Sequence, residues 1–201
     1  MRKNTTLLTL ISCVVVISGC ASYKSGPVSL REATQYSNVR QVDGVSVAAE
    51  ALTDSVRIKE IFYEDLSEGG FIPIEVVIHN GSTNRILVQK DQIEVVGLPG
   101  DALRPTNVSM MIEEFEHSKM AYALLGFGIF SYMSAEDANK KMASDWNSKE
   151  LPRELMVNPN RRASGFVYIK MPKDMKPTGM QLTVPVENLE TKVISTVKIQ
   201  L

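Results

Sequence analysis

The side chains that most often carry enzyme chemistry are few and scattered in this sequence of 201 residues. The two histidines, His79 and His117, have neither a second histidine nor a cysteine nearby, whereas a zinc site needs three or four such ligands at close spacing. Ser82 stands in a turn-forming stretch without a base beside it, and residues 126–128 (Gly-Phe-Gly) lie inside an apolar run rather than after a strand. These patterns predict no metal site and no cofactor.

Acidic residues offer the remaining route to catalysis, through paired carboxylates. Five of them lie between residues 54 and 68, namely Asp54, Glu60, Glu64, Asp65 and Glu68. Loop acids are usually solvated, so we expect a protein that is not an enzyme. The formal net charge of −1 becomes −3 once Arg2 and Lys3 are removed with the leader described below, which is too mild to indicate nucleic acid as a partner.

The N-terminus has the order of segments found in a secretory signal peptide. Positive charges at Arg2 and Lys3 precede an uncharged run over residues 7–17, which at about 11 residues is too short to span a bilayer. Residues 17–20, Ile-Ser-Gly-Cys, resemble the lipobox of bacterial lipoproteins. The resemblance implies that residues 1–19 are removed and that Cys20 is lipidated.

Residues after the lipobox refine the expected location. The resemblance to bacterial lipoproteins implies the outer membrane and its periplasmic face rather than the inner membrane, because Ala21-Ser22 rather than aspartate follows Cys20. Cys13 leaves with the signal peptide, so the mature chain has no free thiol and no disulfide. Residues 20–43 are polar and lack periodicity, which predicts a lipidated N-terminus and a flexible tether.

Period-two alternation predicts a β-sandwich over residues 44–201. The clearest strand is Phe71 to His79, in which Ile72, Ile74, Val76 and Ile78 share the buried face. The other predicted strands are 45–52, 85–89, 92–96, 162–170, 180–186 and 192–201, and residues 53–67 fit neither period. Short strands about every ten residues indicate a meander of about seven to eight strands.

A second resemblance concerns the segment Pro73 to Asn80 and the Gly-Ser-Thr-Asn turn after it. This segment resembles a strand of the small immunoglobulin-like sandwiches in bacterial lipoproteins of an uncharacterised family. The resemblance implies an immunoglobulin-like antiparallel fold and no catalytic residues.

A helical insertion interrupts the strands at about residues 107–150. Val108, Met111, Ile112 and Phe115 follow helical spacing, and residues 134–137 resemble a capping box that opens a further helix. That helix aligns Ala135, Ala138, Met142 and Trp146 on one stripe and is expected to present a solvated polar face with three i,i+4 pairs, Glu136–Lys140, Asp137–Lys141 and Asp145–Lys149.

Between these helical patterns, residues 120–135 carry no charge. They either complete the core of the sandwich or form a surface that docks on a membrane or an envelope protein, with Tyr122, Phe127, Phe130 and Tyr132 as candidate contacts. A group of basic residues, Arg161, Arg162, Lys170, Lys173 and Lys176, is expected to be a solvated rim or, alternatively, to face lipid phosphates.

Two functional hypotheses follow. The first is a lipid-anchored interaction or structural module, held to the membrane by Cys20, that contacts a partner through its apolar insertion. The second is a carrier that holds an apolar ligand between the sandwich and the insertion.

The lipidation hypothesis predicts that Cys20→Ser abolishes acylation. Two or three acyl chains anchor a protein stably because each buried methylene contributes about 0.8 kcal/mol. Metabolic labelling with a radioactive fatty acid should mark the wild-type chain and leave the serine variant unlabelled. Label on the serine variant would contradict the lipoprotein hypothesis.

Overall fold

The computed structural model describes Val28 and residues 31–97, 102–123, 132–172 and 177–201. For residues 116–123 and 132–139 it describes the backbone only. Ten strands and three α-helices lie within these residues. The strands are β1 (Arg40–Val42), β2 (Val45–Ala51), β3 (Phe71–Asn80), β4 (Ile86–Gln89), β5 (Glu94–Val96), β6 (Pro105–Thr106), β7 (Glu154–Val157), β8 (Arg161–Lys170), β9 (Gln181–Asn188) and β10 (Ile194–Gln200). The helices are α1 (Ser55–Phe62), α2 (Val108–Ala123) and α3 (Tyr132–Lys149), and short 3-10 helices lie at Ala33–Gln35, Leu66–Gly69 and Lys90–Gln92. The chain is mainly β, as predicted.

The strands form two antiparallel sheets with a shared core. The first sheet has the order β1-β2-β3-β8-β6, and the second has the order β10-β9-β4-β7, with β5 also paired to β9. Alternate residues of both sheets meet in one buried cluster, which we call the sandwich core. Its members include Val47, Ile74, Val76 and Val167 of the first sheet and Val88, Leu182, Val184 and Val197 of the second.

The predicted meander is wrong after β3: β1, β2 and β3 pair in succession, but β3 does not pair with β4, and β4 does not pair with β5. β3 pairs with β2 and β8, whereas β4 and β5 belong to the other sheet and both pair with β9. The turn after β3 therefore crosses between the sheets. Asn80 fixes this crossing, since its buried amide donates to the carbonyls of Asn84 (2.8 Å) and Val157 in β7 (2.9 Å).

β3 differs from the half-buried strand that its alternation indicated. Ile74 and Val76 lie in the sandwich core as expected, but Glu75 on the opposite face is only 3 % exposed and Val77 is fully buried. The reason is a second layer on the outer face of the first sheet, formed by the helices at one end and by the N-terminal segment in the middle. One-sided burial was the wrong expectation for the central strand of this sheet.

The predicted tether is wrong for its second half. Ala33 and Tyr36 are buried against Ala48 of β2 and Val77 of β3, and β1 pairs with β2 through a tight turn at Asp43 and Gly44. The few apolar residues that make these contacts are isolated in a polar stretch and create no hydrophobic periodicity. The sequence pattern therefore predicted a linker.

Helices cover the rest of the outer face. The ambiguous stretch 53–67 contains α1, and the predicted capping box at residues 134–137 lies within α3 as it is described. Of the predicted i,i+4 pairs in α3, Asp145–Lys149 forms (2.5 Å), but its side chains are buried, which corrects the expectation of a solvated face there. Lys149 also donates to the Ile61 carbonyl (2.7 Å), so this pair joins α3 to α1.

We predict that Ile74→Ala lowers the free energy of unfolding by about 2–5 kcal/mol, because Ile74 is fully packed in the sandwich core. Urea denaturation measures the change. Met156→Ala is the matched control: Met156 lies on β7 and is 65 % exposed, so its truncation should change the unfolding energy by less than about 1 kcal/mol. Equal losses in the two variants would contradict the assigned register.

Candidate functional site

The predicted interaction residues fall largely outside the described part of the chain. Cys20, Phe127 and Phe130 lie outside the described residues. Tyr122 is near the end of α2 and Tyr132 begins α3, but their side chains are outside the described part as well. The site predicted from sequence therefore stays a prediction, although the backbone positions of Tyr122 on α2 and Tyr132 on α3 are described.

The ends of these two helices nearest the sheet form a second buried cluster, which we call the helical core. It joins Val108, Met111 and Phe115 of α2 and Met142 and Trp146 of α3 to α1 and the outer face of the first sheet. The aromatic rings are closely packed: the Phe115 and Trp146 rings meet edge to face with centroids 5.4 Å apart.

Hydrogen bonds fix Trp146 at the centre of the helical core. Its indole nitrogen donates to the Phe62 carbonyl at the end of α1 (3.1 Å), and its own carbonyl accepts from the Tyr168 hydroxyl on β8 (2.9 Å). Trp146 thus links α3 to both α1 and β8. Residues 108–115 and 142–146 supply the part of the insertion that packs there.

The acids between residues 54 and 68 include two that cap helices. Asp54 accepts from the Arg57 amide (2.9 Å) at the start of α1, and Asp65 accepts from the Ser67 amide (3.1 Å) at the start of a 3-10 helix. Burial acts to raise the pKa of Asp65, but hydrogen bonds from Ser55 and Ser67 and the charge of Lys59 outweigh it and hold the pKa below its usual range. These interactions give Asp54 and Asp65 structural roles.

The other residues considered for chemistry do not converge. His79 is exposed on β3, and the side chain of His117 lies outside the described part. Ser82 donates to the Asn80 side chain (2.6 Å) and so belongs to the crossing turn. Within the described residues, no group of three or more histidine, cysteine, aspartate or glutamate side chains is arranged to hold a metal ion.

The basic group is divided between the two ends of β8. Arg162 pairs with Glu32 and opposes His79, whereas Lys170 pairs with Glu114 of α2 (2.6 Å) and opposes Phe71. Eight residues of extended strand separate these two positions by about 27 Å. Lys173 and Lys176 lie outside the described residues. Arg162 and Lys170 therefore lie on the same face of the first sheet but too far apart to form one basic patch.

A cluster of opposite charges, which we call the charged seam, lies where the helices and the N-terminal segment meet on the first sheet. Glu50 of β2 and Glu75 of β3 are direct register partners on the outer face. Arg57 of α1 binds Glu50 with both terminal nitrogens (2.9 and 3.2 Å) and comes within 3.7 Å of Glu75. Arg31 of the N-terminal segment pairs with Glu50 and lies 4.0 Å from Glu75.

Two arginines neutralise what would otherwise be two repelling carboxylates. Like charges placed directly opposite in a sheet are destabilising, so the arginines from the two covering layers are what makes this strand pairing acceptable. Because the acids and bases bind one another, the charged seam has a structural role. The sequence analysis did not predict this cluster. The available signal was that pairing of β2 with a neighbouring strand could place one of its residues opposite Glu75.

Tyr36 closes the seam on the N-terminal side. The Arg31 guanidinium stacks over its ring, 4.1 Å from the centroid. Burial raises the pKa of Tyr36 to about 12, the neighbouring Glu75 carboxylate adds to the rise, and Arg31 opposes it. The phenol is therefore held neutral beside the buried carboxylate.

A separate cavity of about 260 Å³ opens at the end of the sandwich where three turns meet. Its lining is partly apolar and partly polar, and comprises Val42, Asp43, Val45, Ser82, Ile86, Val186, Asn188, Thr191, Val193 and Ser195. Of these lining residues the sequence analysis singled out Ser82 alone, because they come from three stretches that are distant in sequence, residues 42–45, 82–86 and 186–195.

Comparisons with known proteins identify no family. No protein-family model matches the chain, and no curated protein matches it. Similar solved structures include a FixG-related protein from Vibrio parahaemolyticus, with 7 % identity over 78 % of this chain and 94 % of that chain and a TM-score of 0.36.

Two further structures have a TM-score of 0.39 each. They are the yjhA protein from Bacillus subtilis (9 % identity, 82 % of this chain and 98 % of that chain) and a functionally unknown protein from Listeria monocytogenes EGD-e (14 % identity, 82 % and 81 %). At this level the likeness carries no argument about function.

Among the described helices, none is long and apolar enough to cross a bilayer.

The charged seam predicts a tyrosine that ionises late. The pKa of about 12 in the folded chain exceeds the usual value of 10, so the contribution of Tyr36 to stability is complete below pH 10 and is lost as the pH rises towards 12. Ultraviolet absorbance of phenolate during an alkaline titration, taken as the difference between wild type and Tyr36→Phe, isolates this group from the other five tyrosines. When the chain also carries Glu75→Gln, the titration midpoint of Tyr36 should move towards pH 10. A Tyr36 midpoint already at pH 10 in the wild type would contradict the arrangement.

Proposed function

We propose that this protein is a lipid-anchored cell-envelope protein, held by Cys20 at the periplasmic face of the outer membrane. In this proposal it acts as a non-enzymatic interaction module with an immunoglobulin-like sandwich. The lipobox-like residues 17–20 and the leader before them support the anchor. Two antiparallel sheets around one core, joined by a strand connection that crosses between them, support the fold.

The N-terminal segment limits how far the domain can stand from its anchor. Val28 packs against the helical core and Arg31 is held in the charged seam, so only the eight residue steps from Cys20 to Val28 separate the proposed anchor from the packed domain. At about 3.3–3.6 Å for each extended residue, this length reaches at most about 29 Å. The domain would therefore work close to the membrane, which favours a partner in or on that membrane.

One observation carries the assignment of the interaction surface to the insertion. The described contacts of the insertion with the helical core come from residues 108–115 and 142–146, which pack with α1 and the first sheet. Between them in sequence, residues 120–135 form an uncharged stretch with four aromatic side chains. Such a concentration of apolar and aromatic residues supports a binding surface.

We predict that changing Phe127 and Phe130 to serine abolishes association with isolated envelope membranes while leaving the melting temperature nearly unchanged. The changes are made in the full chain carrying Cys20→Ser, so that no lipid contributes to binding, and association is measured by co-sedimentation. Phe115→Ser is the matched control, because Phe115 is buried in the helical core and its loss should cost about 3–5 kcal/mol and melt the protein early.

The control separates the two interpretations of the insertion. If the double variant melts as early as Phe115→Ser, residues 120–135 belong to the core and the proposed surface is wrong. If it melts normally and still co-sediments as its parent does, the surface lies elsewhere. Cys13→Ser serves as a control for the anchor, since this cysteine lies in the proposed leader and its loss should leave acylation intact.

A further inference from the structure

The cavity at the end of the sandwich has a rim that is held together by three mutually bonded turns. These are the turns at residues 43–44, 81–85 and 189–193. The Gly81 amide donates to the Gly44 carbonyl (2.9 Å), which joins the first turn to the second, and the Leu189 amide donates to the Arg85 carbonyl (2.9 Å), which joins the second to the third. Ser195 of β10 donates to Asp43 and closes the ring. Such bonding gives the cavity a fixed shape.

The floor of the cavity is apolar and belongs to the sandwich core. Val45 comes from the first sheet, and Ile86 and Val186 come from the second; all three are buried. Val193 stands exposed at the rim. A ligand that enters would therefore place an apolar body between the ends of the two sheets.

The polar groups of the lining are mostly committed to the turns. Ser82 donates to Asn80 (2.6 Å), and the Asn188 side-chain oxygen accepts from the amides of Glu190 (3.0 Å) and Thr191 (3.1 Å). Asp43 differs, because among the described residues only Ser195 donates to it, and only to one carboxylate oxygen. The other oxygen is available to a ligand.

The charge of the cavity is negative. Asp43 is the only ionisable side chain in the lining, which contains no lysine, arginine or histidine. The nearest cations along the turns are paired with their own acids: Arg85 with Glu190 (3.6 Å) and Lys192 with Glu187 (3.2 Å). An anionic ligand would meet an uncompensated carboxylate, whereas a cationic one would be neutralised.

From this arrangement we infer that the cavity binds a small organic cation with an apolar body, such as a primary alkylamine in its ammonium form. The ammonium group binds Asp43, and the alkyl chain lies on Val45, Ile86 and Val186. The volume of about 260 Å³ limits the ligand to a short chain. This inference is independent of the lipid anchor and of the insertion.

The two parts of the ligand contribute unequally. Burial of a methylene contributes about 0.8 kcal/mol, which is about a fourfold gain in affinity for each carbon added. An exposed ion pair contributes about 0.2–1 kcal/mol, or about 1.5- to 5-fold. Chain length should therefore set the affinity, and Asp43 should set the preference for ammonium over other head groups.

The test uses n-alkylammonium ions from butyl to heptyl, with the n-alcohols and n-alkanoates of the same length as matched probes. Binding to the full chain carrying Cys20→Ser is followed by NMR shifts of the valine and isoleucine methyl groups. We expect the methyl signals of Val45, Ile86 and Val186 to move together, affinity to rise about fourfold for each carbon until the cavity is full, and alkanoates to bind more weakly than ammonium ions.

Two variants complete the test. Asp43→Asn should weaken ammonium binding by about 1.5- to 5-fold and leave the alcohols unaffected; it preserves the turn because asparagine tolerates the left-handed backbone at residue 43 (φ 48°). Thr191→Trp, on the exposed turn, should block every probe without lowering the melting temperature. Methyl signals that do not move, or alkanoates that bind as tightly as ammonium ions, would overturn the inference.

Discussion

A buried carboxylate on the central strand of the first sheet determines how the rest of the chain is arranged around it. Glu75 lies on β3 directly opposite Glu50, and neither could be covered by apolar layers alone, because an unpaired buried charge is strongly destabilising. Arg57 reaches it from α1 and Arg31 from the N-terminal segment. Both layers on this face are therefore tied to the same two acids, and the charged seam marks where they meet.

This constraint separates the two cores of the protein. The sandwich core is apolar throughout and lies between the sheets, whereas the helical core and the Ala33–Tyr36 contacts lie on the outer face, on either side of the seam. Because α1, α2 and α3 bury Phe62, Phe115 and Trp146 against β8, the insertion is integrated with the sheet at its base. The proposed function assigns the binding role of the insertion to residues 120–135.

Local patterns predicted the elements well and their arrangement poorly. Alternation located β3, β8 and β9, and helical spacing located the buried residues Val108, Met111 and Phe115, since both signals depend on neighbours in sequence. The pairing of β3 with β8 rather than β4 depends on contacts about 90 residues apart, and Asn80 controls it through a carbonyl of β7. For the same reason neither the charged seam nor the shape of the cavity could be foreseen, because each combines residues from distant segments.

Arg31 also determines how a mechanical load would enter the domain. Under the proposed anchoring, tension from the bilayer arrives along the chain at Val28, which packs against the helical core, and then at Arg31, before β1 begins. The first ionic contacts to resist it are the ion pairs of Arg31 with Glu50 and Glu75, which lie on two central strands, and its stacking on Tyr36. Force would thus be distributed over β2 and β3 before the edge strand β1 is peeled away, so this short edge strand is shielded from the pull of its own anchor.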